Sequence, residues 1–270
     1  MMNESKIINF VRDIYQTNGF IPLHEPSFIG KEQTYIKKAI ESTFVSSIGK
    51  YVDKFEKDLE FFCDSNVVLT SCGTSGLHAA LVHVGVSHND IVITQPLTFV
   101  ATCNAIHQAG AEPVFVDVCN KTLGMDPNAL EYFLENHAEL KKAKCFLKKT
   151  GQEIKAILPM HTFGHPLRID TLVKISKKLN LPLIEDAAES LGSYFKNKHT
   201  GTFGDLGVLS FNGNKIITTG GGGAILARKR KTHKALKHLT TTAKVEHKYE
   251  YIHDRPAFNY RMPNLNAALG

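Results

Sequence analysis

From about residue 66 onward, short β-branched apolar runs alternate with longer stretches in which apolar positions recur every three to four residues. That alternation builds a mainly parallel sheet with helices on both faces. Strands are predicted at 66–70, 91–94 (ended by Pro96), 113–117, 156–159 and 183–186. Helices are predicted at 77–84, 99–108 (closed by Gly110), 127–137 and 169–179, with Asp126 as N-cap and Pro127 as the first residue of the third. The rhythm then changes. The apolar runs 207–211 and 223–227 are separated only by a Gly-rich connection, too short for a parallel crossover, so one strand of the sheet is expected to be antiparallel. Before residue 66 the pattern predicts two helical pieces, 6–15 and 31–41, around an extended 20–23, and the basic stretch 141–152 reads as a surface loop insertion.

Composition narrows the class. The chain has 270 residues, 43% hydrophobic and 21% charged, which excludes intrinsic disorder. Its length exceeds one domain of about 150 residues and falls short of two. The net charge of +6 favours anionic small molecules. The only dense basic runs, 141–149 and 228–231, read as solvated faces, and with no Trp in the chain no nucleic-acid partner is expected. Five cysteines without a Cys-x-x-Cys spacing indicate reduced thiols and a cytoplasmic protein, with no metal site. Residues 1–8 lack the apolar core of a signal peptide, and no apolar run approaches the roughly 20 residues that span a bilayer, so no membrane partner is expected. The segment 264–270 reads as the opening of an apolar helix, from which a C-terminally truncated chain is expected.

Three segments at predicted strand ends could carry chemistry. Ser71-Cys72-Gly73-Thr74-Ser75-Gly76 lies between a strand and a helix, where free N–H groups and the positive end of the helix dipole favour a phosphate. It is neither a P-loop nor a dinucleotide fingerprint, and a Ser/Thr cap with glycines in the turn explains it equally. Leu183-Ile184-Glu185-Asp186-Ala187-Ala188-Glu189-Ser190 delivers Asp186 to the floor of a cleft beyond the strand ends, where a carboxylate needs a cationic partner or a metal unless it is a helix cap. Ser210-Phe211-Asn212-Gly213-Asn214-Lys215 precedes four consecutive glycines, and Lys215 has no carboxylate within five positions. A desolvated lysine is a nucleophile for carbonyl carbon; an exposed loop lysine is the alternative. A phosphate cradle, a carboxylate for a ring nitrogen and a Schiff-base lysine are together what pyridoxal 5'-phosphate requires.

These segments resemble the DegT/DnrJ/StrS nucleotide-sugar aminotransferases. Gly73 to Leu77 looks like the family's phosphate motif, Glu185 to Ser190 its pyridinium motif, Ser210 to Lys215 its lysine motif, and Phe258-Asn259-Tyr260-Arg261-Met262 a further element. The resemblance runs from about residue 20 to the end. It implies an α/β fold, the large domain of the fold type I pyridoxal-phosphate transferases: a mainly parallel seven-stranded sheet with one antiparallel strand and helices on both faces. The implied domains are an N-terminal segment over 1–50, the cofactor-binding domain over 51–250, and the start of a small domain over 251–270.

The resemblance also implies roles. Lys215 holds the cofactor and moves protons, Asp186 keeps the ring nitrogen protonated, Phe99 stacks on the ring, and Glu189 lies near the ring oxygen. Gly73, Thr74, Ser75 and Ser210 bind phosphate, and Asn259 reaches the phosphate of the neighbouring subunit, so a homodimer with shared sites is implied. Segments 20–26 and 44–50 are similar to the branch that aminates UDP-linked 4-keto-6-deoxy amino sugars for legionaminic acid or bacillosamine routes, with L-glutamate as donor. Lys215 argues against the dehydratase subgroup, in which histidine replaces the lysine. The competing readings are a non-catalytic protein of the same fold and a nucleotide-binding α/β protein.

Overall fold

A computed structural model describes residues 3–270; Met1 and Met2, where the segment read for a signal peptide begins, lie outside the described residues. The strands are β1 (Asn66–Thr70), β2 (Ile91–Thr94), β3 (Glu112–Phe115), β4 (Ala138–Lys141), β5 (Lys144–Leu147), β6 (Glu153–Ile157), β7 (Ile184–Asp186), β8 (Tyr194–Phe195), β9 (Lys198–His199), β10 (Leu206–Ser210) and β11 (Gly223–Ala227). Pairing runs β1-β11-β10-β7 in one part and β3-β2-β6 in the other. Parallel bridges Ile157–Leu183 and Met160–Asp186 join the two parts at β6 and β7. The result is the order β3-β2-β6-β7-β10-β11-β1, in which β11 alone is antiparallel to its neighbours. This meets the expectation of seven strands with one reversed.

Successive strand residues point to opposite faces. Val68, Val92, Ala156, Ile184, Val208 and Ile225 pack on one face beneath α4 (Gly73–His83), α5 (Val100–Gln108) and α8 (Arg230–Thr240). Their neighbours Val67, Leu69, Leu209 and Leu226 face α3 (Lys50–Cys63) and α9 (Asn264–Leu269), while Ile91, Ile93, Ile157 and Leu183 face α6 (Pro127–His137) and α7 (Ile169–Lys178). Two further helices, α1 (Glu4–Tyr15) and α2 (Glu32–Glu41), precede them, and α9 packs against both α2 and α3.

Two parts of the fold depart from the sequence reading. The region 141–152 is no loose insertion: β4 and β5 form a hairpin turning at Lys142 and Ala143, both at positive φ (49° and 61°), and β5 pairs with β6. Two positive-φ residues at the centre of a two-residue hairpin usually include Asn or Gly, and their absence hid the turn. The segment before residue 66 contains a third, 14-residue helix, α3, whose N-terminal N–H groups are capped from far along the chain: Asn264 Oδ1 accepts from Tyr51 and Val52 at 3.1 and 3.2 Å.

Candidate active site

The C-terminal edge of the sheet collects the ends of β1, β7 and β10, where open α/β sheets bind ligands. Helix α4 starts at Gly73, at the first residue of the predicted phosphate motif. Cys72 is its N-cap, its Sγ accepting from the Ser75 N–H at 3.4 Å. Ser75 Oγ accepts from the Cys72 N–H at 3.2 Å and lies 2.9 Å from the Cys72 carbonyl. The Ser75 hydroxyl therefore fixes the helix start. Thr74 and Ser210 keep hydroxyls without a partner among the described residues, and the N–H groups of Gly73 and Thr74, at the first turn, have no intrahelical acceptor. Close approach makes the cradle: a Cβ on Gly73 would stand 3.0 Å from Ser210 Cβ, and one on Gly223 would lie 2.7 Å from the Gly73 nitrogen.

Asp186 ends β7 on the same face as Ile184 and is 3% exposed. Its Oδ2 accepts from the Thr102 hydroxyl at 2.7 Å and its Oδ1 from the Ala188 N–H at 3.1 Å. Burial pushes its carboxyl above the usual carboxylate range, against these two bonds and the charge of Lys215. Glu185, one residue earlier, points to the other face. There it is fully buried and accepts from the Phe203, Gly204 and Gly201 N–H groups at 2.7, 2.7 and 2.8 Å and pairs with His161 Nε2 at 2.9 Å. The His161 N–H also bonds the Asp186 carbonyl at 3.0 Å. This buried pair anchors the strand that carries Asp186.

Lys215 follows β10 with its side chain 10% exposed. The missing local carboxylate is supplied in three dimensions by Glu189, whose Oε1 lies 3.1 Å from Lys215 Nζ. The Phe99 ring centroid is 5.7 Å from the same Nζ, on the N-cap residue of α5. The structure thus brings together Gly73, Thr74 and Ser210 as one group, and Lys215, Glu189 and Phe99 as another, with Asp186 at the end of β7, next to the β10 strand that leads to Ser210 and Lys215. Asn259 is itself exposed, between the half-buried Phe258 and Tyr260, with no side-chain hydrogen bond to the described residues, and the next residue's carbonyl, Tyr260, accepts from the Ser71 N–H at 2.7 Å. Sequence reasoning missed Thr102, three residues along the helix from Phe99, and Gln95. The buried Gln95 amide ties Leu97, Met125, Met160 and Thr162 together at the strand ends. No local motif marks either.

The arrangement meets the needs of pyridoxal phosphate: three free donors of Gly73 and Thr74 at a helix N-terminus with the Ser210 hydroxyl beside them for a phosphate, a buried carboxylate with no salt bridge among the described residues, and an amine under an aromatic ring. Among the described residues no group of His, Cys, Asp and Glu forms a metal site, and no helix is long and apolar enough to cross a membrane. The model of the DegT/DnrJ/EryC1/StrS aminotransferase family matches residues 26–270.

The chain belongs to that family.

Among its relatives, GDP-perosamine synthase of Escherichia coli O157:H7 is 38% identical over 255 residues, covering 93% of this chain and 65% of the relative. The putative pyridoxal phosphate-dependent aminotransferase EpsN of Bacillus subtilis is 37% identical, covering 93% and 62%. A crystal structure of a DegT DnrJ EryC1 StrS aminotransferase from Brucella abortus superposes with a TM-score of 0.80 at 29% identity, covering 88% of this chain and 61% of that one. This DegT/DnrJ/EryC1/StrS chain spans a little under two thirds of the length of these relatives, and its fold is that of the fold type I large domain.

Proposed function

We propose that the protein binds pyridoxal phosphate at this site and transfers an amino group from an amino acid to a nucleotide-linked 4-keto-6-deoxy sugar. The observation that carries the reading is the convergence of an open helix N-terminus, a buried aspartate and a shielded lysine on one sheet edge. When bound, the cofactor supplies an aldehyde that condenses with amines and a ring that withdraws electrons from the reacting carbon. Gly73 and Thr74 N–H groups and the Thr74 and Ser210 hydroxyls hold its phosphate, and Ser75 serves by fixing their positions. Asp186 keeps a proton on the ring nitrogen, with Thr102 orienting its carboxylate. Phe99 covers the ring and excludes water. Lys215 Nζ takes and returns the proton at the reacting carbon. Glu189 is within reach to receive the proton that Lys215 loses before its amine becomes nucleophilic.

Residues 51–250 are the cofactor-binding domain in this reading, with 1–50 and 251–270 flanking it. The exposed Asn259 reaches the phosphate of a second protomer in a homodimer with shared sites, and five free cysteines support a cytoplasmic setting. The finer assignment is a UDP-linked amino sugar with L-glutamate as donor, for surface glycans of the nonulosonic acid or bacillosamine type, and it rests on segments 20–26 and 44–50. Likeness to a GDP-perosamine synthase favours a GDP-linked sugar as a second reading. The test is to load the protein with cofactor and L-glutamate, remove the donor, and add GDP- or UDP-linked 4-keto-6-deoxy sugar. Mass spectrometry of an aminated product identifies the acceptor; a cofactor-loaded protein that transfers nitrogen to neither sugar overturns the proposal.

A further inference from the structure

Lys215 is one of two groups held by Glu189. The second carboxylate oxygen, Oε2, accepts from the Phe163 N–H at 3.0 Å. Phe163 lies in the 3-10 turn Thr162–Gly164, on the segment that follows β6 at the same sheet edge. Its backbone is left-handed, φ 52° and ψ 25°, a conformation that non-glycine residues rarely adopt. Nothing in the packing of the ring offsets this, because Phe163 is 72% exposed. The backbone is held by its surroundings instead. Besides Glu189, Thr162 Oγ1 accepts from Gln95 Nε2 and donates to the Leu123 carbonyl, both at 3.0 Å, and a Cβ on Gly164 would run into the Glu189 carbonyl.

We propose that Phe163 is a substrate-contacting, specificity-determining residue whose ring packs against the apolar face of the acceptor's deoxy-sugar ring. The inference rests on the sugar-aminotransferase reading above. Phe163 N–H and Lys215 Nζ are bonded to two oxygens of a single carboxylate, so the backbone of the aromatic residue stands one carboxylate away from the lysine amine. The sugar carbon that takes the proton must come within reach of Lys215 Nζ, whereas the nucleotide lies further away across the diphosphate. The 6-deoxy position gives the sugar a methyl edge, and an exposed aromatic ring is the side chain that gains most by covering it.

The experiment compares wild type with Phe163→Ala and Phe163→Tyr, using GDP- and UDP-linked 4-keto-6-deoxy sugars as probes and free GDP and UDP as controls. Phe163→Ala is expected to raise the acceptor KM about tenfold, a loss typical of one well-packed aromatic contact, while the L-glutamate half-reaction stays within about twofold. Phe163→Tyr restores the KM. Because the chain contains no Trp, Phe163→Trp in the cofactor-loaded protein provides a single Trp, whose selectively excited emission shifts on adding the sugar nucleotide but not the free nucleotide. If Phe163→Ala leaves the acceptor KM unchanged, or weakens free GDP and UDP equally, the assignment is overturned while the aminotransferase reading stands. A wild-type protein that accepts neither sugar nucleotide overturns that reading and this assignment with it.

Discussion

Asp186 is buried where no cation within the chain touches it, and its carboxyl is raised above the usual 3.8 chiefly by that burial. A carboxyl raised in the folded state contributes stability below its unfolded value, and that stability is lost as pH rises through the folded value. Asp186→Asn removes the charge. The apoprotein of the variant is therefore expected to melt several degrees above wild type at pH 7, an excess that shrinks as pH falls toward 4, while amino transfer drops at least 100-fold; calorimetry and single-turnover assays check the two halves. Glu185 is the contrasting neighbour, satisfied by three N–H groups and His161. Glu185→Ala strands those donors and is expected to cost about 3–5 kcal/mol in denaturant unfolding. Residue types at strand ends made Asp186 and Lys215 legible. The division of labour between Glu185 and Asp186 was not, because it depends on the face each reaches. The Lys215–Glu189 pair joins residues 26 positions apart and was also invisible.

Elements whose start and stop signals are local were read correctly. Helix α6 begins after Asp126 with Pro127, as its cap chemistry predicts. Helix α3 escaped because its cap is not local: Gly49 precedes it, and Asn264 supplies the acceptor and also donates to the Phe44 carbonyl at 2.6 Å. A Cβ on Gly49 would overlap the Asn264 amide. Asn264→Ala is expected to destabilise the fold by about 2 kcal/mol, combining a lost helix cap with the lost bond to the Phe44 carbonyl. A lowered urea midpoint with unchanged slope checks this.

At the scale of the whole molecule, the order of strand and helix patterns was enough to specify a seven-stranded sheet with one reversed strand, since crossover and hairpin connections leave few alternatives. In the homodimer proposed above, Asn259 is the exposed residue assigned to the partner protomer's site. With shared sites, mixing Lys215→Ala with Asn259→Ala protomers gives heterodimers in which one site regains both residues. Random reassociation is then expected to restore wild-type cofactor affinity at about a quarter of all sites, measurable by cofactor titration after exchange. No restoration would place Asn259 in its own protomer's site or outside any site.

The proposed chemistry requires that pyridoxal phosphate attach to Lys215. Borohydride reduction of the cofactor-loaded protein, followed by peptide mapping, measures this attachment. A stable pyridoxyl label is expected on Lys215 in wild type and none anywhere in Lys215→Ala; a label on another lysine, or no label in a wild-type protein saturated with cofactor, would contradict the proposed role of Lys215.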